Sequence, residues 1–348
     1  MKPEEAGTAR TGGGGMAAVR TGLARVVPGL LLCAAIGAAA SFLSGHYGGP
    51  AMLFALLLGI AFGFAGEGGR ARAGVEVASG FVLRLGVGLL GIRITLDEIA
   101  AFGWQTPAVV AGLIALTIAT GFAAARLFGR PWRFALLAGG AVAICGASAA
   151  LAIAAVIPRT DRTERDTLFT VVAVTTLSTV AMVLYPVLFG LLGLDDRGIG
   201  FLIGATVHDV AQVVGAGYSV SDEAGDAATI VKLMRVAMLP VVLVAIALAL
   251  RATGAGSAAA RVALLPWFMV LFIALSAAAS VAALPPALTG AVEAASRAML
   301  LTAIAALGVK TSLKAMLALG GGHVWVVTVE TLLLLLAAIL AFHVFLAA

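Results

Sequence analysis

Charge is scarce in this chain of 348 residues: Asp, Glu, Lys and Arg together make up 11%, where soluble domains carry roughly 25%. A chain so poor in ionic groups cannot solvate the surface of an ordinary soluble domain, and that class is excluded. Cysteine is nearly absent. Cys33 and Cys145 lie in different apolar runs, which argues against a disulfide framework and leaves reduced, packed thiols. The four histidines, His46, His208, His323 and His343, are scattered without ligand spacing such as HxxxH, so no metal and no cofactor are expected. No GxxxxGK[ST] motif occurs either, which removes direct drive by ATP.

What the chain has is apolar length. Hydrophobic residues are 62% of the sequence and mean hydropathy is +1.12. Runs at 26–44, 50–66, 75–94, 105–128, 134–157, 167–192, 199–219, 226–250, 263–283, 286–309 and 322–346 are each near the ~20 residues that cross a bilayer as a helix. The expected fold is an all-α transmembrane bundle of about eleven spans in a single domain, 26–348. Residues 1–25 mix Gly12 to Gly15 with Lys2, Arg10, Arg20 and Arg25, a composition that reads as a disordered cytoplasmic tail.

The formal net charge of +5 and the pI of 9.7 come from Lys and Arg dispersed among the joints, without the basic face that nucleic acid requires. They report topology instead. With the N-terminus inside, Arg70, Arg72, Arg126, Arg130, Arg133, Lys310 and Lys314 fall on the cytoplasmic side, and Arg93, Arg159, Arg162, Arg165 and Arg297 on the other.

The informative stretch is Phe201 to Pro240, where His208, Asp209, Gln212, Lys232 and Arg235 sit inside apolar segments. In hydrocarbon each charge costs a few kcal/mol unless it faces a partner or a wet cavity. If 199–219 is one helix, His208 and Gln212 share a face with Asp209 beside them, and Lys232 and Arg235 share another. Arg84, in FVLRLGVGLLGIRITLDEI, also stands mid-span. At 1.5 Å per residue, Arg84, His208 and Arg235 lie roughly 13–15 Å into their spans, and Cys145 and Ser148 roughly 17–21 Å. Polar groups from four helices thus converge near one plane, as at a transport site.

Each group has a plain reading and a functional one. Arg84 either snorkels to an interface or binds an anion with its planar fork. Lys232 and Arg235 are helix-end charges close to Asp222, Glu223 and Asp226, or they add positive charge to that anion site. His208 and Asp209 form an internal hydrogen-bonded knot with Gln212, or they carry protons. In AICGASAALAI (Ala143 to Ile153), small residues allow close helix crossing. They equally allow a break at Cys145, Gly146 and Ser148 that points free N–H groups at an anion. Three cations against Asp209 would leave a net +2 to meet an anion. Finally, GIRITLDEIAAFG (Gly91 to Gly103) echoes GVKTSLKAMLALG (Gly308 to Gly320), which points to inverted repeats of about one plus five plus five spans. Thr95 and Glu98 are spaced as a capping box.

Five stretches, LRLGVGLLGIRITLDEI, ICGASAALAIAAVI, IGATVHDVAQVVGAG, VKLMRVAMLP and ALGVKTSLKAM, resemble the YeiH-like bacterial membrane proteins described as sulfate exporter family transporters. The resemblance covers about Gly49 to Ala347. It implies an inner-membrane carrier with an inverted-repeat helical fold similar to that of bile-acid:sodium symporters, exporting sulfate or a related sulfur oxyanion. The leading expectation is therefore a secondary transporter of a small anion, not an enzyme, working by alternating access with protons or sodium. Arg84, Cys145, Gly146, Ser148, Gln212, Lys232 and Arg235 are its candidate binding residues, and His208 with Asp209 its proton-coupling pair. The alternatives are an intramembrane serine protease using Ser148 and His208, and an anion channel. The sequence leaves a homo-oligomer open.

Overall fold

The computed structural model describes residues 14–66, 69–158, 160–252, 266–282, 284–311 and 322–346, and regular structure among them is helical throughout. In chain order the helices are α1 (Gly14–Tyr47), α2 (Ala51–Ala61), α3 (Arg72–Ile92), the short α4 (Leu96–Ala100), α5 (Gln105–Leu127), α6 (Trp132–Ala143), α7 (Ala147–Val156) and α8 (Thr163–Gly190). They continue as α9 (Asp196–Thr206), α10 (Val210–Gly217), α11 (Asp222–Ala237), α12 (Leu239–Ala252), α13 (Trp267–Val281), α14 (Pro286–Lys310) and α15 (Gly322–Phe345). Among the described residues seven units, α1, α3, α5, α8, α11 with α12, α14 and α15, are long and apolar enough to cross a membrane. The chain is a polytopic helical membrane protein. Exposed Leu31, Leu116, Leu151, Leu184, Leu336 and Leu340 are stable outward-facing only against hydrocarbon.

Two expectations change. Helix α1 begins at Gly14, so residues 14–25 are helical and not an irregular tail; Ala17, Ala18, Arg20, Leu23, Ala24 and Arg25 favour helix there, against Val19, Thr21 and Gly22. Residues 1–13 lie outside the described residues. The run at 199–219 is not one helix either. It is two half-helices, α9 and α10, joined by an extended link at 207–209.

The helices sort into two bodies by their packing. In one, α14 packs on α1, α2 and α3, and α13 packs on α3. In the other, α9 and α10 pack on α11, α5 packs on α6 and α15, and α8 holds α7 and α10. Contacts between the bodies include α10 against α2 and α14.

Close crossing inside the second body depends on Gly200 and Gly204 of α9. A methyl at either would stand 2.6 Å from a carbonyl oxygen of α11, Ala224 O or Ala228 O. Bare backbone there lets α11 lie against α9, which brings the side chains of its last turns within reach of the α9 carbonyls.

The Thr95 capping box forms, with Glu98 N donating to Thr95 Oγ1 at 3.2 Å and Thr95 N donating to Glu98 Oε2 at 2.7 Å. Its echo at Gly308 to Gly320 lies outside the described residues from Ser312 onward.

Candidate functional site

Both interrupted spans break at mid-length, and the breaks touch. The first ends α6 at Ala143 and restarts at Ala147 through Gly146, whose φ of 62° and ψ of −124° belong to glycine's territory. Gly146 N closes α6 by donating to Ala141 O at 2.8 Å. A methyl added at Gly146 would meet His208 Cβ at 3.7 Å, an ordinary contact. The constraint is therefore the backbone conformation. Replacing Gly146 by Ala is expected to cost about 1–3 kcal/mol, read as a lower melting temperature in detergent, whereas Ser148→Ala, at an exposed position, should leave melting unchanged.

The second break carries His208 and Asp209. Their two N–H groups both donate to Ser178 Oγ of α8, at 3.2 and 3.1 Å, and Asp209 Oδ1 accepts from Ala211 N at 3.1 Å, so Asp209 is the N-cap of α10.

Breaking two helices leaves two sets of C-terminal carbonyls in the middle of the protein. Lys232 and Arg235 of α11 take them. Lys232 Nζ donates to Ile144 O at 2.7 Å, to Val207 O at 3.0 Å and to His208 O. Three acceptors use all three ammonium protons. Arg235 donates from Nε to Ala143 O at 2.9 Å, from Nη2 to Val142 O at 2.7 Å, and from Nη1 to Gly204 O and Val207 O, each at 3.0 Å. Four of the guanidinium's five N–H bonds are thus committed. Both side chains are fully buried.

These geometries give the two cations a structural task. Their charge stands against two helix C-termini, each worth roughly half a negative charge, and their donors are occupied. Nor do they neutralise the acidic residues nearby. Asp222 and Asp226 lie in the first turns of α11 and pair with Arg93, at 3.4 and 3.0 Å, joining the two bodies at one end of the bundle.

Four other candidates do meet. Arg84, Cys145, Ser148 and Asp209 line one cavity of about 390 Å³ between the bodies, together with Ser79, Gly80 and Trp267. Arg84 comes from the first body, just after a π turn at Ala78–Val82 that resets the phase of α3. Its side chain is exposed to the cavity, and no protein acceptor is bonded to it among the described residues. The second body contributes the head of α7, which no side chain caps, and Asp209 at the head of α10.

Gln212 and His208 do not reach this cavity. Gln212 Nε2 donates to Thr179 Oγ1 at 2.9 Å and to Thr175 O at 3.4 Å, pinning α10 to α8. His208 Nε2 lies 3.0 Å from Thr331 Oγ1. Since Thr331 gives its own hydroxyl proton to Val327 O at 2.8 Å, the imidazole must donate, which places a proton on Nε2. His208 is thus turned toward α15, and no hydrogen bond joins it to Ser148 among the described residues. Sequence reasoning missed Ser178 and Thr331, because a lone hydroxyl in an apolar span carries no spacing signal.

Comparison with known proteins places this architecture. Residues 28–326 match the family model described as Conserved hypothetical protein 698. A relative named UPF0324 membrane protein TauZ, from Paracoccus denitrificans, is 51% identical over 320 residues, covering 91% of this chain and 95% of its own. A UPF0324 membrane protein of Rhizobium meliloti (strain 1021) is 51% identical over 88% of this chain and 89% of its own. One from Chlorobaculum tepidum is 46% identical over 89% and 87%. No solved structure matches the chain. By the extent of these matches the chain belongs to the Conserved hypothetical protein 698 family, the YeiH-like UPF0324 membrane proteins.

Proposed function

We propose that the protein is a secondary carrier of a small anion, not an enzyme, and that the anion binds in the cavity between Arg84 of the first body and the head of α7 in the second. The observation that carries this reading is Arg84 itself: a guanidinium deep in an apolar span, lining a cavity and, among the described residues, without a carboxylate partner. Such a group is stable when an anion or water completes its shell. Its fork matches a tetrahedral oxyanion two bonds at a time, and the uncapped N–H groups of α7 supply the positive end of a helix. Asp209 shares the cavity. A carboxylate beside a bound anion repels it, so protonation of Asp209 would favour loading, a direct way to couple anion and proton. Sulfate or a related sulfur oxyanion is the substrate class this proposal favours, with the family resemblance pointing to export across the bacterial inner membrane.

The test is purified protein in liposomes, offered labelled sulfate, sulfite and an organic sulfonate under an imposed pH or sodium gradient. Saturable flux with counterflow is expected. Non-saturating current without counterflow would replace the carrier with a channel, and covalent labelling of Ser148 by a fluorophosphonate would replace it with a hydrolase.

A further inference from the structure

One buried charge-bearing group has no place in this scheme. Glu330, on α15, is 0% exposed, and neither carboxyl oxygen has a hydrogen-bond partner among the described residues. Lys232 and Arg235, the buried cations, by contrast donate to main-chain carbonyls, while Gln212 and His208 each have one side-chain polar atom engaged and one unpartnered among the described residues. Glu330 instead sits in a slot opposite α5. A methyl at Gly121 would stand 2.5 Å from Glu330 Oε1 and 3.2 Å from both Ala135 O and Gly139 Cα of α6, so bare glycine backbone makes room for the carboxyl.

The charges on the packed elements stand away from it. On α15, His323 is seven residues earlier, roughly 10 Å along the axis, and bonds Asp166 of α8 at 3.5 Å. Arg126 of α5, Arg133 of α6 with the preceding Arg130, Arg165 of α8, and Asp196 and Arg197 of α9 lie toward the ends of their helices. None of the cations among them is within 4.0 Å of Glu330 among the described residues. An ionised carboxylate cannot rest in such a slot without a partner. No group of three or more His, Cys, Asp or Glu side chains that could hold a metal ion occurs among the described residues.

We propose that Glu330 is a proton-binding site of the carrier, a second one beside Asp209, which exchanges a single proton with water when the second body moves. The only bond made or broken is the carboxyl O–H. The link to the cavity is short: the next residue, Thr331, accepts from His208, the neighbour of Asp209. The proposal rests on the anion-carrier reading for its role in coupling, though not for the existence of the site.

The test uses the full chain. In infrared difference spectra recorded across a pH titration, wild type is expected to show the C=O band of a buried carboxylic acid, and Glu330→Gln to lack it. Arg84→Gln, expected not to transport, should keep the band, so a failure of the carrier reading leaves this result standing. In liposomes a gradient of about one pH unit supports about tenfold accumulation per coupled proton; Glu330→Gln should lose that accumulation factor and keep counterflow. Glu330→Ala, which leaves a small hole in place of an unpaired amide, serves if the Gln variant does not fold. A band unchanged by either substitution, or full proton-driven accumulation in the variant, would overturn the assignment. So would a loss confined to sodium-driven uptake.

Discussion

Arg235→Leu is expected to prevent recovery of folded protein, where a ligand-binding arginine would lose only affinity. The substitution strands Val142 O, Ala143 O and Gly204 O in a buried interior, since of Arg235's four acceptors only Val207 O keeps a second side-chain donor among the described residues, in Lys232. A buried carbonyl left without a partner costs about 1–3 kcal/mol, so the three together cost roughly 3–9 kcal/mol. That is comparable with the roughly 5–15 kcal/mol that holds a whole domain. Arg235→Lys keeps the charge with three donors for four acceptors, and should melt between wild type and the Leu variant. Monodisperse yield in detergent and thermal melting decide the matter. If Arg235→Leu folds and melts like wild type while anion affinity falls, the capping role is wrong and the arginine returns to the substrate.

Arg84→Gln should do the reverse. Its guanidinium faces the cavity, so removing it orphans nothing in the protein, and stability should stay within about 0.5 kcal/mol, as for substitutions away from packed networks. Transport should fall far more. A hydrogen bond from a charged donor contributes about 1.5–3 kcal/mol, so a bidentate grip on an oxyanion is worth at least about a hundredfold in binding. Lysine at position 84 keeps the charge without the planar fork and should recover part of the loss. Flux in liposomes beside a melting curve gives both numbers. Normal flux in Arg84→Gln would remove this residue from the site.

The contrast between these arginines marks where the sequence stopped being readable. Membrane class and the break at Gly146 followed from composition and small residues in a span. The capping box at Thr95 followed from side-chain spacing. The second break did not, because neither glycine nor proline punctuates TVHDVAQ; its sign was Asp209 acting as an N-cap. The work of Lys232 and Arg235 was hidden for a deeper reason. Their acceptors are main-chain carbonyls, which every residue carries, so no pattern of side chains announces them. Glu330 was legible by the same rule that flagged Arg84, a lone ionisable group within an apolar run, but it was passed over inside a span read only for length.

The cavity straddles a seam, and that has a mechanical result. On the proposed carrier reading, an anion held by Arg84 on one side and by the head of α7 on the other is gripped by two bodies at once, so any sliding of one past the other stretches one grip before the other. Release would then need no separate trigger: the stroke that carries the anion across would also let it go.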